Sequence, residues 1–476
     1  MTSAQGRWHQ DSLDGLRAAA AGAVLLTHVS GLTGYTLTGT PVSWAMSRGD
    51  VGVPIFFTLS GLLLYRPWAV AALTGQQTGP LATYLRRRAL RILPAYWAVV
   101  LIALPWLNRA DARHVWPWVQ YLLLLQNYDS HPWWTGTGAT GLAQAWSLVV
   151  EVSFYLLLPL LAAALTWFAC RGSPPGEPGV PRRARRLLAG LTVLAASSFG
   201  FTVLDQHPRP AYWFEGTLPP LLIWFCAGMA IAVGLAWAGA EPQPGPASRF
   251  CRTVAASAGM GGLIAACAFA MACTPLAGPE GLGINTIWQT EFKTALYTVI
   301  TLAVVAPAAC QPHGPSTTRS ARLLSSGPSR FLGRISYGIF LWQFLAAFAV
   351  FRLLDLKISP FVGPYPVAEV ALIGLAIAAA TVVAATASYY LIEHPAQRLG
   401  RYWRSNSATR RATMSRPRIW GIPLVSHRTP GLGGEPVASR SPAAAQPAAA
   451  SSRAGSSHGP DSREAARGHP DGGAGQ

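Results

Sequence analysis

The chain alternates between long apolar runs and short polar connections. A run of about twenty apolar residues has the length that crosses a lipid bilayer as a helix. The pattern predicts an all-α, polytopic membrane helix bundle of about ten transmembrane spans. A shorter apolar piece at 121–126 is too short to span, and we expect it to be re-entrant or interfacial. The predicted spans are 14–33, 51–74, 89–107, 145–169, 187–204, 216–238, 253–273, 292–310, 331–353 and 366–391.

Composition supports this organisation and adds a tail. The chain is 51% hydrophobic and 12% charged, whereas soluble domains carry about 25% charged residues. Residues 1–13 are predicted to form a cytoplasmic lead and 14–400 the ten-span membrane domain. From about residue 405 the chain is mostly Ser, Ala, Pro, Gly and Arg. Such a segment cannot bury a core, so we expect 401–476 to be a disordered basic cytoplasmic tail.

The basic charge indicates topology. A net charge of +18 would suggest nucleic-acid binding in a soluble chain. Here the arginines concentrate in the tail and in the loops after the second, fourth, sixth and eighth spans. The positive-inside rule then places both termini in the cytoplasm of a multi-pass inner-membrane protein. We expect membrane lipid and no nucleic acid as a partner. The six cysteines show no metal-binding spacing, so no metal is predicted.

The first span carries an unusual line of ionisable residues, Asp14, Arg17 and His28. Arg17 and His28 are three helical turns apart, so they share one face about 16 Å apart along the axis. Ionisable groups in a membrane helix usually face a bundle interior or a wet cavity. We therefore predict a cytoplasmic cavity with Arg17 near its mouth and His28 at depth, where a neutral imidazole can take a hydroxyl proton. The alternative is structural, with a bonded histidine and a snorkelling arginine.

Two further sites carry charge beside or inside spans. Arg88 and Arg91 lie one turn apart at the start of the third span and could clamp phosphates, although the positive-inside signal alone would explain them. Glu151, inside the fourth span, needs a partner. It either pairs with an arginine or orients His28. Ser60 and Gly61 are interpreted as small residues that pack helices together.

These residues fall within six short motifs that occur in order along the chain. Together they resemble the acyltransferase-3 family of bacterial integral membrane acyltransferases, over about residues 10–400. The motifs are Leu13-Asp14-Gly15-Leu16-Arg17 with His28, 52–61, 88–96, Trp146-Ser147-Leu148 with Glu151 and Phe154-Tyr155, 332–337, and Glu393-His394-Pro395.

The resemblance implies O-acyl transfer, with acetyl as the expected group, from acyl-coenzyme A to a hydroxyl of a carbohydrate or glycosylated small-molecule acceptor. It implies His28 as the catalytic base, an essential Arg17, and Arg88 and Arg91 near the acyl-CoA donor. For Glu151 we expect an electrostatic role.

One position departs from the family pattern. Many members carry a histidine after a tryptophan in the ninth span, where this chain has Trp342-Gln343, so we expect no proton transfer there. A second function class also survives. The chain could be a multi-span transporter, or a lipid- or solute-binding membrane protein without acyl transfer. Broken helices in matched halves would favour a transporter, and the sequence shows no such symmetry.

Overall fold

The computed structural model describes residues 10–134, 136, 138–171, 179–206, 216–241, 245–279, 285–311, 319–358 and 363–399. In these ranges the chain forms α-helices joined by short 3₁₀ turns, and no strand. The helices are α1 (Gln10–Leu32), α2 (Pro41–Ser47), α3 (Gly52–Thr74), α4 (Leu81–Leu107), α5 (Val115–Leu122), α6 (Ala145–Cys170), α7 (Val180–Gln206), α8 (Leu218–Ala240), α9 (Pro246–Ala256), α10 (Ala258–Ala272), α11 (Ile287–Ala309), α12 (Arg319–Leu324), α13 (Gly327–Arg334), α14 (Ser336–Leu353) and α15 (Val367–Ser388).

The predicted fold class is confirmed. Within the described ranges, nine helical segments are long and apolar enough to cross a membrane, or ten if the bent pair α9–α10 counts as one span. A π-helical turn, Tyr389–Glu393, continues α15. The predicted start of the bundle shifts, since α1 already begins at Gln10. Residues 1–9 of the predicted lead and the predicted tail at 401–476 lie outside the described residues.

Two predicted spans are wrong in form because each contains a break. In place of 253–273, α9 and α10 meet at a 65° bend. At that break the Ser257 hydroxyl donates to the Thr253 carbonyl over 2.8 Å, and a glycine-rich stretch follows, which is a usual setting for a sharp kink. In place of 331–353, α13 and α14 are separate helices that meet at Ile335. A hydropathy pattern averages over such single-residue breaks.

The connection between α4 and α6 returns into the bundle. The Tyr96 hydroxyl donates to the Tyr121 carbonyl over 2.7 Å, and the Trp97 indole donates to the Leu122 carbonyl over 2.9 Å. Tyr96 and Trp97 lie in the middle of α4, well before its end at Leu107. The segment around α5 therefore reaches the level of mid-helix α4, as a re-entrant piece does.

Glycines allow the helices around the site to approach closely. A Cβ built on Gly228 of α8 would lie 1.9 Å from the Thr58 carbonyl oxygen of α3, and one on Gly61 would lie 2.2 Å from the Phe225 carbonyl oxygen. Small residues at membrane-helix crossings allow this backbone contact. The interpretation of Gly61 as a packing residue agrees with this crossing, which fixes α3 against α8 beside the cavity described next.

Residues far apart in sequence meet at the start of α1. A Cβ on Gly333 of α13 would lie 2.0 Å from the Asp14 carbonyl oxygen, and one on Gly15 would lie 2.2 Å from the Leu324 carbonyl oxygen. Thus α12 and α13 pack directly on the first turns of α1. Both α1 and the start of α14 contribute side chains to one cavity.

Candidate active site

A cavity of about 520 Å³ opens where α1, α3, α4, α6, α13, α14 and the π-helical turn meet. Its walls combine apolar side chains with a dense set of charges and hydroxyls. The charged, hydroxyl and amide side chains that line it are Asp14, Arg17, Ser60, Arg88, Arg91, Ser147, Glu151, Tyr155, Arg334, Ser336, Tyr337, Tyr389, Glu393 and Gln397. The structure therefore brings together four of the five site residues predicted from the sequence: Arg17, Arg88, Arg91 and Glu151.

Arg17 and Asp14 form a salt bridge at the α1 wall of the cavity. The Arg17 Nη1 to Asp14 Oδ1 distance is 3.2 Å, and their side chains are only 19% and 16% exposed. The two residues are one turn apart on α1, which is the spacing at which helical side chains meet. Asp14 holds the guanidinium in place while its other donors remain available to a ligand.

Arg88 and Arg91 form the α4 wall. They are one turn apart on the face of α4 that points into the cavity. Neither forms a salt bridge among the described residues. Arg88 lies 6.0 Å from the centre of the Tyr155 ring, which steadies a cation by its contact with the aromatic face. With Arg17 and Arg334, these residues make the cavity rich in guanidinium groups, the side chains best suited to phosphate.

Glu151 is held by two hydroxyls. Its Oε1 accepts from the Ser60 hydroxyl over 2.5 Å and from the Tyr155 hydroxyl over 2.6 Å. Arg17 and Arg88 are close enough to interact with it electrostatically, without direct contact. The expected pairing with an arginine is therefore electrostatic, and Glu151 does not contact His28. Sequence reasoning missed the roles of Ser60 and Tyr155, because a hydroxyl in an apolar span looks like a packing residue.

His28 is not among the residues that line the cavity. Its ring packs against Phe344, with ring centres 4.4 Å apart. Its Nδ1 is buried and has no hydrogen-bond partner among the described residues, and the Gln343 side chain lies beside the ring. Phe340 lines the cavity, and Gln343 and Phe344 follow one turn further along α14. His28 thus lies about one helical turn beyond the cavity wall, so the expectation of one cavity shared with the arginines is not met.

A second polar cluster lies near His28. Lys293 Nζ contacts Asp50 Oδ2 over 2.7 Å, and the Tyr297 hydroxyl also donates to Asp50. Arg48 donates to the carbonyls of Ala272 and Gly278 over 2.8 and 2.5 Å. Asp50 is close enough to His28 to interact electrostatically. Sequence reasoning missed this cluster; the only signal was Asp50 at the start of the second span.

The described residues also indicate what the cavity can bind. No group of three or more His, Cys, Asp or Glu side chains among them is placed to hold a metal ion. The cavity instead offers guanidinium groups for an anion and hydroxyls for polar contacts. These groups suit a ligand that carries negative charge.

Comparisons with known proteins agree with the motifs. A family model described as an acyltransferase domain matches residues 10–389. The peptidoglycan O-acetyltransferase OatA of Listeria monocytogenes is 25% identical over 365 residues, covering 72% of this chain and 50% of that protein. Nodulation protein 10 of Rhizobium leguminosarum biovar viciae is 28% identical over 216 residues, covering 42% of this chain and 52% of that protein. The chain thus spans about half the length of these curated relatives. No solved structure gives a significant match.

Proposed function

Because the chain belongs to the acyltransferase-3 family, we propose that it transfers an acyl group from acyl-coenzyme A to a hydroxyl. The expected acyl group is acetyl, and the acceptor is a carbohydrate or a glycosylated small molecule. The family match confirms the resemblance found in the motifs, and with it the class of enzyme, an acyltransferase. The observation that carries the proposal is the convergence of Arg17, Arg88 and Arg91 around Glu151 in one cavity.

The donor binds at the arginines. The phosphates of acyl-coenzyme A are the groups that paired guanidiniums recognise best, and Arg88 and Arg91 have no salt-bridge partner among the described residues that would compete. Arg17 contributes from the opposite wall, oriented by Asp14. The positive-inside rule places this end of the bundle in the cytoplasm, where acyl-coenzyme A is made, and both termini on the same side.

His28 acts as the base, about one helical turn deeper in the bundle than the cavity wall. The long pantetheine arm of the donor separates its phosphates from its thioester, so the thioester reaches past Phe340 toward His28. The imidazole takes the proton of the acceptor hydroxyl as the hydroxyl oxygen attacks the thioester carbonyl. The tetrahedral intermediate then collapses, the carbon–sulfur bond breaks, and the imidazolium returns the proton to the coenzyme A thiolate. A thioester is already activated, so a base and hydrogen-bond donors suffice.

The Glu151 carboxylate adjusts the electrostatic potential of the donor site. Its two hydroxyl donors hold the carboxylate away from direct contact with the arginines. The guanidiniums therefore keep donors for phosphate while the carboxylate offsets part of their mutual repulsion. Removal of this carboxylate takes away negative charge that stabilises Arg17 and Arg88 in a low-dielectric region, which is costly.

A carbohydrate acceptor is supported by the names of the relatives. One is a peptidoglycan O-acetyltransferase, so the first acceptor to test is a peptidoglycan-derived oligosaccharide. Its hydroxyl would approach His28 from the end of the bundle opposite the arginines, on the side of the Asp50 cluster. In this arrangement, donor and acceptor enter from opposite ends of the bundle and meet at His28.

Donor binding is tested separately from transfer. The purified full chain is titrated with acetyl-coenzyme A, and binding is followed by the rise in thermal unfolding temperature. We expect Arg88→Gln to lose most of this rise. Arg113→Gln, in the exposed connection before α5, is the matched control and should keep it. An equal rise in both variants would remove Arg88 from the donor site.

Transfer is then measured in membranes with radiolabelled acetyl-coenzyme A and peptidoglycan-derived oligosaccharides. We expect label in the oligosaccharide with the unmodified chain and none with His28→Ala. Equal transfer by both would refute the assignment of the base. If acetyl-coenzyme A neither binds nor is consumed while a solute gradient forms across proteoliposomes, the transporter hypothesis replaces this one.

A further inference from the structure

A second cavity, on another side of the bundle, has a different character. It encloses about 460 Å³ between α7, α8, α9 and α11. Among the residues that the structure describes, its lining carries no charged side chain and includes Leu188, Ile231, Leu235, Phe250 and Leu302. None of the arginines or acids of the candidate active site contributes to it. The transfer reaction proposed above makes no use of this cavity.

A polar atom at the cavity is left without a partner. Trp237 lines the cavity, and its indole Nε1 is buried with no hydrogen-bond partner among the described residues. A buried N–H without an acceptor costs free energy. Trp237 lies three residues before the end of α8. Tryptophans near the ends of membrane helices commonly place their N–H at the level of lipid headgroups and esters.

The short helix α9 covers one side of the cavity and carries charge on its other side. Ala247, Phe250, Cys251 and Val254 line the cavity at helical spacing. The Glu241 carboxylate accepts from the Ser248 N–H over 2.7 Å and anchors the start of α9. The opposite face of α9 exposes arginines to the surroundings, as an amphipathic helix at a membrane surface does. The exposed arginines of this region include Arg249, Arg252 and, one turn before Leu188 on α7, Arg185.

We propose that this cavity binds an acyl chain of an anionic phospholipid. The acyl chain occupies the apolar interior, the Trp237 N–H donates to an ester carbonyl, and the headgroup phosphate lies among the exposed arginines. Basic residues beside a cavity between membrane helices are the usual setting for anionic lipid headgroups. The site rests on the membrane-spanning character of these helices and does not depend on acyl transfer.

The cavity contains its own chemical probes. Cys251 and Cys310 both line it, and their thiols are near neighbours. A bound acyl chain would shield both thiols from a membrane-permeable maleimide. Cys267 on α10 is exposed and does not line the cavity. It therefore reports reagent access that is independent of the site.

The full chain is reconstituted into nanodiscs of phosphatidylcholine alone or with phosphatidylglycerol. Labelling of each cysteine is followed by mass spectrometry, and lipids that remain bound are counted by native mass spectrometry. We expect phosphatidylglycerol to slow labelling of Cys251 and Cys310 about tenfold, with Cys267 unchanged, which corresponds to roughly 1.4 kcal/mol of preference. One phosphatidylglycerol should remain bound.

Two glycines of α8 supply a matched pair of variants. Nothing lies within 4 Å of a Cβ built on either Gly234 or Gly239, so both accept a larger side chain. Gly234 lines the cavity and Gly239 does not. We expect Gly234→Phe to fill the cavity and lose the bound lipid, and Gly239→Phe to keep it. Arg185→Gln should weaken retention about fivefold, since one arginine near an anionic surface contributes roughly 1 kcal/mol.

Three results would overturn the proposal. The first is equal lipid retention by Gly234→Phe and Gly239→Phe. The second is labelling of Cys251 and Cys310 that does not depend on phosphatidylglycerol. The third is a purified chain that carries a polyprenyl phosphate in the cavity, because the occupant would then be an isoprenoid carrier and not a phospholipid.

Discussion

Gly228→Ala tests whether the α3–α8 crossing positions the site. The new Cβ would lie 1.9 Å from the Thr58 carbonyl oxygen and 2.7 Å from the Leu62 nitrogen, both backbone atoms that cannot rotate away. To restore an ordinary contact of 3.4 Å, the helices must separate by about 1.5 Å. The hydrogen bond from the Thr58 hydroxyl to the Trp224 carbonyl, now 3.1 Å, would then be broken.

The cost follows from these two losses. Overpacking a tight contact costs about 1–3 kcal/mol, and a lost hydrogen bond adds about 1 kcal/mol, so we expect a loss of about 2–4 kcal/mol in the free energy of unfolding. Ser60 lies half a turn from Thr58 on α3, and its 2.5 Å hydrogen bond to Glu151 would lengthen too. Acetyl-coenzyme A affinity should therefore fall together with stability.

The assay is thermal unfolding of the detergent-solubilised full chain, followed by tryptophan fluorescence with and without acetyl-coenzyme A. Gly234→Ala is the matched control, since nothing lies within 4 Å of its Cβ and alanine favours a helix over glycine by up to about 1 kcal/mol. We expect a drop of several degrees for Gly228→Ala and none for the control. Equal unfolding temperatures for the two variants would refute the argument that this crossing is tight.

Further predictions concern the reaction. His28→Ala should abolish transfer while acetyl-coenzyme A affinity, measured by titration calorimetry, stays within about twofold, because His28 does not line the cavity that holds the arginines. A large loss of affinity would contradict this separation of the base from the donor site. Arg91→Gln should raise KM for acetyl-coenzyme A about tenfold or more, since hydrogen bonds to charged groups contribute about 1.5–3 kcal/mol, and an unchanged KM would exclude a phosphate contact. Gln343→Leu should lower kcat with little change in KM, while Gln343→His, the residue many family members carry, should retain activity; equal kcat in both would show that Gln343 does not position the ring. Tyr155→Phe removes one of the two hydroxyls that donate hydrogen bonds to Glu151, so it should weaken acetyl-coenzyme A binding about tenfold. The control is Tyr128→Phe, which removes an exposed hydrogen bond to Ser153 and should leave this binding unchanged.

Much of the fold could be predicted because a bilayer imposes one length on every apolar helix. The start of α6 and the end of α3 fall within one residue of their predicted positions. The breaks at Ser257 and Ile335 could not be predicted, since each depends on one or two residues inside an otherwise apolar run. The early start of α4 at Leu81 was missed for a related reason, because its arginine-rich first turns are too polar to count as a span.

In the candidate site, too, some features could be predicted from the sequence and others could not. Periodicity placed Arg17 and His28 on one face of α1, and the structure agrees that both point inward. Helical spacing carries no information on where a cavity ends, so it could not predict that Arg17 lines the cavity and His28 does not. The hydroxyls of Ser60 and Tyr155 were missed because their partner Glu151 lies on another helix or one turn away, and a serine in an apolar span has several possible roles.

The contact of α12 and α13 with the first turns of α1 has a consequence for biogenesis. Gly15 meets Leu324, and Gly333 meets Asp14, so α1 docks against a segment that is made more than three hundred residues later. Translation proceeds from the N-terminus, and contacts of such long sequence separation form slowly. The salt bridge between Asp14 and Arg17 needs no other helix, because both residues lie on α1 one turn apart. This pair can therefore form before α12 and α13 are made, and a translation product that stops before Gly327 would lack the part of the cavity lining that α13, α14 and the π-helical turn supply.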